Sequence, residues 1–222
     1  MLRHAAESDV PRLEELIRLS VHSLQAPYYT VAQRAEALGP VFAVDRQLIA
    51  DGTYFVAEGG SGVVGCGGWS KRKSHFGGDV DRTGVDPMLN PAADAARVRA
   101  FFTHPGWARR GIGKAILSAC EDAILAAGFT RVEMVATLAG EPLYLSCGYQ
   151  EKERYSLHLR GDQTMQVVRM TKVFSQPPRS TQTLQPGVIA ALSASADQTA
   201  RELAELMKHT QSTAPLGTTP PT

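Results

Sequence analysis

One stretch constrains this chain more than any other: a glycine-rich loop set between a strand and a helix. Val98 to Thr103 carries β-branched and aromatic residues and reads as a strand. Beyond the loop, Ile112, Ile116, Leu117, Cys120 and Ile124 recur at helical spacing, and Gly128 supplies the stop. The loop therefore delivers backbone N–H groups at a helix N-terminus. Gly111 and Gly113 remove side chains that would hold an anion away, and Arg109, Arg110 and Lys114 add positive charge. Unpaired helix N–H groups and the helix dipole suit such a place to a phosphate or pyrophosphate. Two common phosphate motifs are excluded. A dinucleotide fingerprint needs a third glycine where Ile116 stands, and a P-loop needs Ser or Thr where Ala115 follows Lys114.

Around this centre the elements alternate. Met1 to Ala5 reads as a short strand, and Ser8 or Asp9 caps a helix with Pro11 in its first turn. Leu13, Leu16, Ile17, Val21 and Leu24 line one face of that helix, which Pro27 ends. Thr30-x-x-Gln33 is a capping box for a second short helix ending near Gly39. Residues 53–58 and 62–69 read as a hairpin, in which Gly65, Gly67 and Gly68 are costly unless something approaches the backbone closely. Arg131 to Thr137 is the strand after the central helix, reached by a right-handed crossover. Glu151 to Leu159 and Met165 to Val173 close the chain's ordered part as an antiparallel hairpin.

The charges nearly cancel, 23 basic against 22 acidic, which gives no electrostatic case for nucleic acid or a membrane surface as partner. Cys66, Cys120 and Cys147 are isolated and odd in number, fitting reduced thiols better than a disulfide frame or a zinc cluster. The acidic residues of the 74–91 loop do not match a calcium loop, so no metal is expected. No apolar run approaches membrane length and the first residues have no signal-peptide core, so a cytoplasmic protein is the expectation. From Ser175 the composition turns to Pro, Ser, Thr and Gln, so the domain is expected to span 1–174 and a low-complexity, largely disordered tail 175–222. Within that tail, 197–209 allows one short helix.

The central loop resembles the coenzyme A loop of the GNAT superfamily of N-acetyltransferases, Arg/Gln-x-x-Gly-x-Gly/Ala, falling on positions 108 to 113 with Ala108 in place of the first residue. A second segment is similar too: Tyr144 stands four residues before Gly148-Tyr149, as a tyrosine does before a Gly-aromatic pair in the family. The resemblance implies an α/β (α+β) fold with a mixed, mostly antiparallel central sheet, a splayed parallel pair and flanking helices. It implies acetyl-CoA as co-substrate, its pyrophosphate on the amides of Gly111, Ile112 and Gly113 beside Arg109, Arg110 and Lys114. The pantetheine arm would run along the backbone of Phe101, Phe102 and Thr103, satisfying groups left unpaired by the splay. Thr137 holds the place of an asparagine that binds pantetheine in the family.

Tyr144 then corresponds to the residue that protonates the leaving thiolate, a role a phenol suits because its pKa exceeds that of a thiol. No glutamate stands on the splayed strand, which carries Arg97 and Arg99; Glu133 is the candidate base, and His104 in its His-Pro turn reads as structural. Tyr28 and Tyr29 fall where relatives border the acceptor, giving either an aromatic wall or an amphipathic loop. Trp69 is a substrate contact or the end of a strand. Three readings stay open: an N-acetyltransferase acting on a small-molecule primary amine, a non-catalytic acyl-CoA-binding module, and a protein or peptide acetyltransferase. A homodimer is left open.

Overall fold

The computed structural model describes residues 1–60, 62–74 and 86–174. The chain runs β1 (Leu2–His4), α1 (Val10–Leu24), α2 (Val31–Ala37), α3 (Arg46–Ala50), β2 (Tyr54–Gly59), β3 (Gly62–Ser70) and β4 (Ala96–Thr103). It continues through α4 (Ile112–Ala126), β5 (Arg131–Thr137), α5 (Glu141–Ser146), β6 (Gln150–His158) and β7 (Thr164–Val173). The tail helix expected over 197–209 and most of the 74–91 loop lie outside the described residues.

The helices follow the apolar spacing of the sequence, with differences at their ends. α1 buries Leu13, Leu16, Ile17 and Val21 as expected. Asp9 precedes it without capping it, because its carboxylate accepts from Ala6 N at 2.8 Å and from the Arg3 guanidinium at 2.7 and 2.8 Å. The Thr30–Gln33 capping box forms as read: Gln33 N donates to Thr30 Oγ1 at 3.2 Å and Thr30 N to Gln33 Oε1 at 2.8 Å. α3 has too few residues to show a periodic face, and Asp45 caps it by accepting from Leu48 N at 3.3 Å.

All seven strands form one sheet in the order β1-β2-β3-β4-β5-β7-β6, antiparallel except for β4 and β5. The parallel pair is joined only at Ala96–Val132 and Arg97–Glu133. Beyond that, β4 stays with β3 as far as Thr103, and β5 stays with β7 as far as Thr137. The two strands are thus held apart by their outer partners, and a gap opens toward their C-terminal ends.

A bulge in β4 sits where the gap begins. The register with β3 shifts between Cys66 and Gly68, and Ala100 adopts φ of 61°. A non-glycine residue there is uncommon and costs about 1–2 kcal/mol, so its surroundings must hold it. The buried Tyr54 hydroxyl donates to Ala100 O at 3.2 Å. Gly67 lies opposite the bulge, and a Cβ on it would sit 2.6 Å from Phe101 Cδ2. This is the close approach that the glycine run of β3 anticipates, made by the protein's own ring.

The sheet carries a separate core on each face. One gathers α1 with Val56, Cys66, Phe102 and Val167. The other gathers α4 with Val98, Met134, Tyr144 and Val168. No helix among the described residues is long and apolar enough to cross a membrane.

Candidate active site

A cavity of about 410 Å³ occupies the gap between β4 and β5. β4 lines it from Val98 to Thr103, and β5 from Met134 to Thr137. Residues of the α4 face (Ile112, Leu143, Tyr144) and of the α1 face (Leu24, Phe42, Val167) both line it. It therefore joins the two sides of the sheet through the splay.

At one end stands the start of α4. Gly111 takes φ of 82°, turning the chain into the helix. Ala115 N donates to Gly111 O at 2.9 Å, so the N–H groups of Ile112, Gly113 and Lys114 precede the first helical bond. Among the described residues nothing accepts from them, as expected for the first turn of a helix. Arg109, Gly111, Ile112, Gly113 and Lys114 all line the cavity. Arg110 does not; its guanidinium lies 5.1 Å from the Trp107 ring centre in a cation–π contact. Gly113 has a second reason to lack a side chain, since a Cβ would come within 2.9 Å of Leu143 Cδ2 on α5. His104 accepts from Gly106 N at 3.1 Å, shaping the turn before the loop.

Phe101, Phe102 and Thr103 line the gap, with no strand beside them on the β5 side. His104 N turns back to Val64 O at 2.9 Å, whereas Thr103 N reaches Ser20 Oγ at 3.4 Å, long for a hydrogen bond. Thr137 also lines the cavity, and its hydroxyl oxygen accepts from Gln25 Nε2 and from Gly140 N, each at 3.2 Å.

Tyr144 lines the cavity from α5, its ring edge-on to Phe101 (6.1 Å between centres) and to Tyr149 (5.8 Å). Its hydroxyl takes no hydrogen-bond partner among the described residues. Burial raises its pKa well above the ordinary phenol value, with the nearby Cys120 and Cys147 thiols adding to the rise, so it stays protonated at neutral pH.

Other candidates stand elsewhere. Glu133 is paired with Arg97 where the parallel strands still touch, and is not among the lining residues. Trp69 is buried on the α4 face, edge-on to Phe129 at 6.1 Å, also outside the lining. Tyr28 is exposed, and Tyr29 is a buried fastener: its hydroxyl donates to Gln166 O at 2.6 Å and accepts from Leu138 N at 2.8 Å. Burial pushes that hydroxyl up to about 12. Neither tyrosine is among the lining residues, whereas Phe42 is, edge-on to Phe102 at 6.1 Å.

Ser20, Gln25, Phe42 and Trp107 line the cavity without having been singled out in the sequence. Two were legible. Gln25 continues the Leu13–Ile17–Val21 ladder at spacing of four, and Ser20 extends Leu13–Leu16, each placing a polar group on a buried stripe. No group of three or more His, Cys, Asp or Glu among the described residues is placed to hold a metal ion.

No curated protein matches the sequence. The family model for an acetyltransferase (GNAT) domain matches residues 50–151. Among solved structures, a GCN5-related N-acetyltransferase from Rhodopseudomonas palustris is similar at 18% identity and a TM-score of 0.57, over 78% of this chain and 95% of that one. A GNAT superfamily phosphinothricin acetyltransferase from Sinorhizobium meliloti, in complex with AcCoA, is similar at 21% identity and a TM-score of 0.53, over 84% and 95%. A ribosomal-protein-alanine N-acetyltransferase from Brucella melitensis is similar at 17% identity and a TM-score of 0.53, over 78% and 99%. At these identities the structures speak for the fold alone. Residues 50–151 thus match an acetyltransferase (GNAT) domain, and the fold around them is similar to that of these N-acetyltransferase structures.

Proposed function

We propose that this protein transfers the acetyl group of acetyl-CoA to a primary amine of a small molecule, by direct attack in a ternary complex. The observation that carries the reading is the set of unpaired amides at the start of α4, opening into a cavity that runs through the sheet to its other face. One end suits a pyrophosphate, the gap suits an extended amide-bearing arm, and the far end leaves room for a second reactant. Arg109 and Lys114 lie where they would neutralise phosphate charge.

Acetyl-CoA, as substrate, supplies an activated carbonyl and a thiolate leaving group. Backbone groups of Phe101 to Thr103 would hold the arm in line, and positioning two reactants can by itself lower the barrier by several kcal/mol. The amine nitrogen forms the new C–N bond as the C–S bond breaks. Tyr144 gives its hydroxyl proton to the departing sulfur and regains one from water, and the amine's surplus proton passes to water. Glu133, paired with Arg97 and outside the cavity lining, favours this route over a glutamate base.

In this reading residues 1–174 are the catalytic domain, 175–222 are an appended tail, and the protein works in the cytoplasm. The Brucella melitensis structure carries a protein N-acetyltransferase on a similar fold, so the acceptor class must be tested directly. The test is thiol release from acetyl-CoA against amines, amino acids, aminoglycosides and N-terminal peptides. Release with small amines is expected; release with peptides alone, or CoA binding without release, would overturn the proposal.

A further inference from the structure

Two neighbouring glycines of β3 make room on opposite faces of the sheet. A Cβ on Gly67 would meet the Phe101 ring, which packs on the α4 face. A Cβ on Gly68 would come within 2.9 Å of Tyr54 Cδ2 and Leu48 Cδ1, which belong to the α1 face. Gly68 is also the cross-strand partner of Tyr54. The Tyr54 ring therefore lies close against β3, and its hydroxyl emerges at the bulge of β4. There it stands 3.2 Å from Ala100 O and 3.2 Å from Cys66 Sγ. Tyr54 is fully buried. Burial raises its pKa well above the ordinary phenol value, with Cys66 adding to the rise, so the hydroxyl keeps a proton to donate at neutral pH.

The residue it grips is the one in the left-handed region. Arg99 pairs with Gly68 and Phe102 with Cys66, so Ala100 and Phe101 together stand opposite the single residue Gly67. Alanine gains nothing from a positive φ, and such a bulge persists only while its surroundings over-determine it. The bulge governs two things downstream. It sets the line of backbone from Phe101 to Thr103 along the gap, and it sets the Phe101 ring edge-on to Tyr144. Tyr54 itself is outside the cavity lining.

We propose that Tyr54 is a positioning residue for the thioester donor: its hydroxyl holds Ala100 in the bulge, and the bulge holds Phe101 to Thr103 where the donor's arm lies. The proposal rests on the acetyl-transfer reading above and adds to it a residue that touches neither reactant.

Tyr54→Phe keeps the ring and removes only the hydroxyl. Losing one buried hydrogen bond lowers the population of the bulged state to about a tenth, and CoA affinity falls by the same factor. Calorimetric titration with CoA, at a temperature where thermal melting shows each variant folded, should therefore give a dissociation constant raised about tenfold. A residue that merely filled the core would lower the melting temperature and leave CoA affinity untouched. The second arm uses Ala100→Gly, which takes a left-handed φ without steric cost. In that background Tyr54→Phe should weaken CoA by no more than about threefold, because the bulge no longer depends on the grip. If Tyr54→Phe alone fails to fold, the double variant should fold and bind CoA. Equal CoA affinity in wild type and folded Tyr54→Phe would overturn the proposal. So would a tenfold loss that persists in the Ala100→Gly background, or a double variant that stays unfolded. Wild type that binds CoA but releases no thiol with any amine defeats the acetyl-transfer reading alone, since the affinity comparison still reads the grip. Wild type that binds no CoA overturns both.

Discussion

Replacing Gly111 with Asp strikes the proposed site at its centre while sparing the fold. An added Cβ at Gly111 would meet nothing within 4 Å, so space is no obstacle. The backbone is, because φ stands at 82°. A left-handed residue other than glycine costs about 1–2 kcal/mol, with Asp at the low end. For a domain of this size each kcal/mol lowers the melting temperature by about 2–4 °C. The effect on CoA is larger. The new carboxylate would stand beside the free amides of Ile112, Gly113 and Lys114, where a pyrophosphate would need to lie. Two like charges about 5 Å apart repel by about 3 kcal/mol at an effective dielectric near 20. Denying one amide to the phosphate adds about 1.5–3 kcal/mol for the lost charge-assisted hydrogen bond. Partial neutralisation by Arg109 and Lys114 trims the sum, leaving a loss of about a hundredfold or more in affinity. Calorimetric titration with CoA measures it, and Gly111→Ala separates strain from charge: it should lose the same few degrees yet bind within about tenfold of wild type. A Gly111→Asp protein that binds CoA as tightly as wild type would refute the placement of the pyrophosphate.

Tyr144→Phe keeps both ring contacts and removes only the hydroxyl, so kcat is expected to fall about a hundredfold with CoA affinity unchanged; an unchanged kcat would remove Tyr144 from the chemistry. Since burial raises the pKa of that hydroxyl, the rate should show no decline from its ionisation up to about pH 10; a decline below that pH, lost in Tyr144→Phe, would contradict the buried placement. Gly67→Ala forces a methyl group to within 2.6 Å of the Phe101 ring. It should cost about 1–3 kcal/mol in denaturant unfolding and lower kcat by shifting Phe101 against Tyr144, and neither change would be seen if the bulge opposite were pliable. Arg3 holds the Asp9 carboxyl down at about 2, below its ordinary 3.8. That pairing stabilises the fold above about pH 4 and is lost as the pH falls toward 2, for about 1 kcal/mol after solvent screening. Asp9→Asn should flatten acid unfolding over that window, and an unaltered acid limb would show the pair to be idle.

What could be read from the sequence, and what could not, divides along physical lines. Local patterns were legible because their causes are local. The Gly111 turn, the ladder from Ile116 to Ile124 and the Thr30–Gln33 capping box depend on residues within a few positions of each other. Tyr144 is placed in a similar way, on a short helix that ends just before Gly148. The side of a strand that a residue faces, and what meets it there, depend on distant partners. Glu133, on the strand next to the one where a glutamate was expected, is set against Arg97 and outside the cavity lining by the parallel register with β4. The sequence leaves Tyr29 as either a wall residue or a pinned loop residue, because the partners of its hydroxyl, Gln166 O and Leu138 N, lie more than a hundred positions away. Arg110 shares its neighbours' charge, but stacking on Trp107 turns it from the lining.

The two-faced sheet has a further consequence. The stretch that matches the acetyltransferase family model, residues 50–151, holds β4, the loop, α4 and Tyr144. Ser20, Leu24, Gln25 and the Val41–Ala43 turn, which close the opposite mouth, all precede it. On the proposed reading, much of the donor end would be written in the matched stretch and much of the opposite mouth in the residues before it, the two meeting across the sheet. If that reading holds, substitution in the first fifty residues would alter the opposite mouth more than the start of α4, which lies in the matched stretch.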